Sequence, residues 1–429
     1  MQQQLTPASS HSIPRRWRVP GHYLHSAERF EGAGILDENP GPLGLLLWQS
    51  ERDVRLWALS SAVEREFLFA DGASVRCLTA LSELGAASVE LAPPLQALAA
   101  MLAHPLEAAA DVVMMACRRV SIWAESGGRY ATALRFSESA ALAQPRAAEC
   151  AYHVGRLARR GGQTGLAEGW LNRAIVLARQ LGDWDTYAAA YSGLGNVSLT
   201  RGNLPSADRY QHKALRIATK HGLPARAGAA LHDIFVVAGE AEQVDRAMEY
   251  AERAFATYPA GHPGRIGLAH DVASVWMDLG DFRSALPILL VLWRHLPRDQ
   301  QVIGLANVAR AAGALGDRAC FDVYRNLAVR ELENAATPEM HPGALLNLAR
   351  GAASLGDLTE ARSLAASAEA SAANRREHKL QFEAEALRQA LSMEQIACVE
   401  KPAEPRPAAT LFALDLANSI AAREVAPAL

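Results

Sequence analysis

Small and apolar residues recur along this chain at two spacings, one nested in the other. The shorter is that of a helix face: Leu380, Ala384, Leu387 and Leu391 fall on one side of a helix, as do Phe412, Ala413, Leu416, Ala417 and Ile420. The longer is a repeat. Ala133, Ala167, Ala207, Ala247 and Ala285 lie 34, 40, 40 and 38 residues apart, and Ala361 follows 76 residues further on, the length of two units. Gly128, Gly162, Gly202, Gly280, Gly316 and Gly356 each stand five residues before the recurring position, and the unit around Ala247 lacks its glycine. Two registers in step predict tandem hairpins, each made of helix A, a turn carrying the glycine, helix B and a linker. Pro145, Pro259 and Pro297, twelve residues after the recurring position, are placed to stop helix B, because proline donates no backbone hydrogen bond and clashes with the preceding turn.

The array is expected over residues 107–393, with Leu380–Leu391 as its closing helix. Ahead of it, residues 21–106 read as helical but off register. Trp48–Leu68 places Leu56, Leu59, Val63 and Phe67 on one face and turns Arg55, Ser61 and Arg65 away from it, which predicts an amphipathic helix packed through the first set. Two more helices are expected near 74–84 and 94–102, with Gly85 and the Pro93–Pro94 pair as breaks. Residues 1–20, rich in Gln, Ser and Pro, read as a disordered arm, and 394–408 as a linker. Residues 409–429 regain helical periodicity and would dock on the array or act as a detached recognition helix.

Composition supports an all-α protein. Half of the 429 residues are hydrophobic but only 6% are aromatic, so the apolar content is mostly alanine and leucine, both strong helix formers. With 43 basic and 46 acidic residues the net charge is -3, which argues against nucleic acid or an anionic membrane as the partner. Five cysteines with no Cys-x-x-Cys spacing fit reduced thiols and a cytoplasmic setting. The basic trio Arg15, Arg16 and Arg18 is not followed by an apolar stretch of signal-peptide length, and no transmembrane helix is expected.

The units resemble tetratricopeptide repeats. The best match is Tyr187–Gly222, where Tyr191, Leu194, Gly195, Gly202, Ala207 and Ala214 stand at the family's aromatic, Leu-Gly, turn-glycine and alanine positions. The Leu-Gly-Asn triplet with a 40-residue period is similar to the long-helix subclass found in kinesin light chains and bacterial peptide-sensing repeat proteins. Gly155, Gly162, Ala167 and Ala174 repeat the pattern in the preceding unit, and Trp276, Gly280, Ala285 and Pro297 in the fifth. The fourth unit carries Phe235 where a small residue is expected and the sixth carries Phe321 at the alanine position, which predicts looser packing there. The resemblance implies a right-handed α-solenoid of about seven hairpins, and the first hundred residues match no recognisable family.

The resemblance also places certain helix A positions on an inner face. The polar residues there are Arg118 and Arg119; Tyr152, His153, Arg156, Arg159 and Arg160; Asn196; His232 and Asp233; His270 and Asp271; Asn307 and Arg310; Asn347 and Arg350; Glu240 and Asp278 fall among them. Asn pairs with both backbone groups of an extended peptide, and Arg offers a bidentate fork to carboxylate. The expected activity is therefore capture of an acidic peptide or disordered segment by a non-enzymatic scaffold, with Asn196 the first residue carried over from the resemblance. The competing reading is a peptide-sensing signalling regulator acting through the N-terminal helical region. The pairs His232–Asp233 and His270–Asp271 raise divalent-metal binding as a third reading, and His22, His25 and Glu28 form a weaker cluster. Solvated helix faces are the plain alternative for the arginines. No phosphate loop, dinucleotide fingerprint, His-Glu-x-x-His or Gly-x-Ser-x-Gly motif is present, no cofactor or metal is expected, and the oligomeric state is open.

Overall fold

The computed structural model of the protein describes residues 32–85, 89–297, 300–334, 341–375, 377–393, 400, 402–404 and 407–425. The predicted arm at 1–20 and the cluster His22, His25 and Glu28 lie outside these residues. Twenty-one α-helices and no strand occur among the described residues. They divide into two compact units, residues up to Arg226 and residues from Ala227.

Unit 1 opens with α1 (Ala33–Glu38), α2 (Pro42–Leu59), α3 (Ala62–Arg65), α4 (Ala73–Glu83) and α5 (Ala92–Ala103). Three hairpins follow: α6 (Ala110–Ser126) with α7 (Tyr130–Ala143), α8 (Ala148–Arg160) with α9 (Thr164–Leu181), and α10 (Trp184–Thr200) with α11 (Leu204–Lys220). Unit 2 takes in most of α12 (Pro224–Glu240), then α13 (Val244–Thr257), α14 (Gly264–Asp278), α15 (Phe282–Leu292), α16 (Gln301–Ala314), α17 (Arg318–Asn334), α18 (His341–Ser354) and α19 (Leu358–Arg375). Helix α20 (His378–Ser392) covers α19, and α21 (Pro407–Val425) ends the described chain.

The two registers have direct physical causes. Each turn between helices A and B needs one residue with a left-handed backbone, and Gly128, Gly162, Gly202, Gly280, Gly316 and Gly356 supply it with φ between 72° and 81°. The next amide then donates back to a carbonyl of helix A, as Asn203 does to Ser198 at 2.9 Å and Asp281 to Trp276 at 2.8 Å. Five residues on, Ala133, Ala167, Ala207, Ala247, Ala285 and Ala361 are all fully buried where the helices cross. The fourth unit keeps the turn without the glycine: Glu242 holds φ 58°, the one left-handed non-glycine among the described residues. Glu242→Gly should therefore stabilise unit 2 by about 0.5–1 kcal/mol, because an L side chain in this region costs roughly 1 kcal/mol or more. A urea midpoint that stays put or falls would show that this turn carries no strain.

The sixth unit takes in its bulky exception through a glycine on the next one. Phe235 is buried, and Phe321 is fully buried against Gly351 of α18, where a Cβ would come within 2.8 Å of the ring. A missing side chain on one unit makes room for the extra volume on its neighbour.

The face predicted inward on Trp48–Leu68 is instead exposed. Leu59, Val63 and Phe67 are 62%, 75% and 79% accessible, and Leu56 is exposed as well. Ser61 and Glu64 cap each other at the start of α3, with the Ser61 amide donating to Glu64 at 2.7 Å, so helix phase restarts there. The buried face of α2 carries Leu46, Leu47, Val54 and Trp57, together with Glu51 and the Arg55 expected to point away. These charges are buried because α7 answers them. Glu51 accepts from Arg55 at 3.4 Å and from Ser139 at 3.0 Å, Glu138 accepts from Arg135 at 3.5 Å, and Arg55 lies 3.7 Å from Glu138. Glu38 of α1 adds a cap on α7, accepting from the amides of Ala131 and Thr132, both at 2.8 Å. The Pro93–Pro94 pair is not a break but lies in the first turn of α5, where the missing amide hydrogens have no helical partner.

Candidate functional site

In unit 1 the predicted arginines are tied to acids one repeat away. Arg156 forks onto Glu125 at 2.6 and 2.5 Å, and Arg160 reaches the same carboxylate at 2.6 Å. Burial pushes the Glu125 carboxyl up, but the Arg156 hydrogen bonds and the charges of Arg156, Arg160 and His153 outweigh it and hold the group below the usual carboxylate range. Arg118 forks onto Glu149 and comes within 3.4 Å of His153. His153 is held below its ordinary value, first by burial and then by the neighbouring charges of Arg156 and Arg118. Tyr152 packs its ring 5.5 Å from that of His153, Arg159 is half-buried, and Arg119 is exposed. Asn196 is half-buried, and its carbonyl accepts from the fully buried Gln211 at 3.0 Å, which leaves the Asn196 amide hydrogens as its outward chemistry.

In unit 2 the predicted residues form two constellations. The first is centred on Asp271, whose oxygens meet His232 Nε2 at 2.9 Å and His270 Nδ1 at 3.0 Å. Burial pushes the Asp271 carboxyl up, but the hydrogen bonds from His232 and His270 and their charges prevail, and it is held far below its ordinary value. No group of three or more His, Cys, Asp or Glu side chains suited to a metal ion occurs among the described residues.

The second constellation is a ladder across successive A helices. Asn347 of α18 donates to Asn307 of α16 at 2.7 Å, and Arg310 lies 3.5 Å from the Asn347 carbonyl. One repeat on, Arg350 donates to Glu383 of α20 at 2.9 Å. The two asparagines, 40 residues apart in sequence, thus meet as neighbours on one face. That spacing, with paired A and B helices, left-handed turns and buried alanines at the crossings, decides the fold. The chain is an α-helical repeat protein built of tandem helical hairpins.

No protein-family model and no curated protein matches it. Among solved structures, it is similar to BtubC (BKLC) from P. vanneervenii, at 18% identity and TM-score 0.39 over 54% of this chain and 94% of that one. It is similar to the TPR2AB domain of yeast Sti1 in complex with pHSP90, at 15% identity and TM-score 0.28 over 66% of this chain and 99% of that one. A Rap protein complexed with competence and sporulation factor matches at 9% identity and TM-score 0.35 over 82% of this chain and 98% of that one.

The ladder borders a cavity of about 110 Å³, lined by His270, Asp278, Trp293, Asn307 and Arg310 among others. The Trp293 indole N–H is buried without a partner among the described residues. Arg310 is itself engaged: its Nε and Nη2 donate to Glu400, at 3.0–3.1 Å and 2.5 Å. Glu400 comes from the segment predicted as a linker, 90 residues away in sequence, and only a search for acids beyond the array would have raised it. No described helix is long and apolar enough to cross a membrane.

Proposed function

We propose that the protein is a non-enzymatic interaction scaffold of a reducing, cytoplasmic setting, and that the Asn307–Asn347–Arg310 ladder receives an acidic side chain of an extended segment. The observation that carries this reading is the fork between Arg310 and Glu400 beside the cavity: the ladder already holds a carboxylate presented by non-helical chain. Arg310 supplies the bidentate fork and the asparagines orient it. In unit 1 Asn196, Arg119 and Arg160 keep outward donors, whereas Arg118 and Arg156 already fork a carboxylate and meet an acidic ligand by exchanging one for another. Regulation through the N-terminal helices is the alternative function.

A peptide of residues 399–404 tests the reading by calorimetric titration into the full chain carrying Glu400→Gln, which vacates Arg310. Saturable binding is expected, weakened about 10- to 100-fold when Arg310→Ala is added, the range for a charge-assisted hydrogen bond. Equal affinity for the two proteins would remove Arg310 from the site.

A further inference from the structure

Helix α21 is not the next member of the array. The last hairpin, α18 with α19, is already closed by α20, yet the chain returns to pack α21 on α14 and α15, near the start of unit 2. Phe412 enters between Phe255 of α13 and Trp276 of α14, with ring centroids 5.9 and 6.2 Å away. Leu416 and Ile420, one and two turns on, are buried with it, and Arg265 of α14 donates to Ser419 at 2.9 Å. Between this helix and the ladder, the Ala403 amide donates to the carbonyl of Gly280, in the α14–α15 turn, at 2.9 Å. The tail therefore engages unit 2 at three places: a carboxylate in the Arg310 fork, a non-helical backbone amide on a turn carbonyl, and an apolar helix face in a slot.

We infer that these three places form one bipartite docking surface whose intended partner carries the same pattern as the tail. That pattern is an acidic residue in non-helical chain, followed about twelve residues later by a helix presenting an aromatic residue and two aliphatic residues at successive turns. The acidic half rests on the reading proposed above; the helical half stands on the packing of α21 alone. The slot has the chemistry such a helix needs, with two aromatic rings to flank its first anchor and an arginine to meet a hydroxyl beside its third. The tail occupies the surface as a tethered competitor at an effective concentration on the order of millimolar. A partner segment must exceed it in affinity, or the tail must be released, before docking occurs.

The test uses a fluorescent peptide of residues 399–425 and fluorescence anisotropy. Against the full wild-type chain binding should be weak. Against the full chain carrying Glu400→Gln and Phe412→Asp, which releases the tail, it should be at least about tenfold tighter. Equal affinity for the two chains, or no binding to the released one, would overturn the inference. A peptide carrying Phe412→Asp should lose binding, and if it binds like the parent the slot is not the helix site. A peptide carrying Glu400→Gln separates the halves: a loss supports the bipartite surface, whereas unchanged binding overturns the acidic half and the proposed function while leaving the slot standing. Should the released variant fail to show wild-type helicity by circular dichroism, hydrogen exchange of the wild-type chain decides instead. Saturating peptide should accelerate exchange in the chain's own 407–425 segment, and exchange there that stays unchanged would overturn the inference.

Discussion

Glu138→Ala should destabilise unit 1 by about 3–5 kcal/mol, the range for removing one partner of a buried ion pair. Glu138 is fully buried on α7, and its carboxylate lies 3.5 Å from Arg135 and 3.7 Å from Arg55, both nearly inaccessible. With the acid gone, two guanidinium groups lose one of the carboxylates that balance them and lean on Glu51, which sits 3.4 Å from Arg55 and 3.7 Å from Arg135. Burial, its largest influence, already pushes the Glu51 carboxyl up despite both arginines, so it is a reluctant anion there. A carboxyl raised in the folded state favours folding most at low pH, and its contribution is lost as pH rises through the folded value. At neutral pH, Glu51→Gln should therefore be the milder change of the two. Urea unfolding followed by circular dichroism reads both, and a Glu138→Ala loss below about 1 kcal/mol would mean that water reaches the cluster.

Gly313→Ala should cost about 2–3 kcal/mol and loosen the ladder at the same time. A Cβ on Gly313 would lie 2.4 Å from the Gly351 carbonyl oxygen and 2.7 Å from its Cα, and backbone atoms cannot swing aside as a side chain can. Helices α16 and α18 would have to separate, and the 2.7 Å hydrogen bond from Asn347 to Asn307 spans those same two helices. The expected outcome is a lower melting temperature together with weaker binding of the acidic peptide. A variant that melts like the wild type would show that the two helices have slack at this crossing.

The repeat was legible because its signals are local demands on backbone and volume. A turn that needs positive φ selects glycine, and a helix crossing that tolerates only a methyl group selects alanine, so both marks return at the period of the fold. Helix phase in the N-terminal region was lost because hydrophobic spacing was carried across Ser61, although Ser61 with Glu64 is a capping signature visible in the sequence. The arginines of the helix A face were legible as a register, but their partners were not. Glu149, Glu125 and Glu383 stand 31, 31 and 33 residues from Arg118, Arg156 and Arg350, a spacing that becomes a contact only once neighbouring helices are stacked. Glu400 lay beyond reach for a different reason: it belongs to no repeat, and only a chain that doubles back brings it to Arg310.

The Arg310–Glu400 fork also sets how salt should act on the scaffold. Recruitment of an acid by a bare arginine creates an ion pair and weakens as ions screen it. Under the proposed function one carboxylate leaves the guanidinium as another arrives, so the number of paired charges is the same before and after. Such an isocoulombic exchange is nearly indifferent to ionic strength, and discrimination between ligands passes from net charge to the shape of the chain beyond the acid.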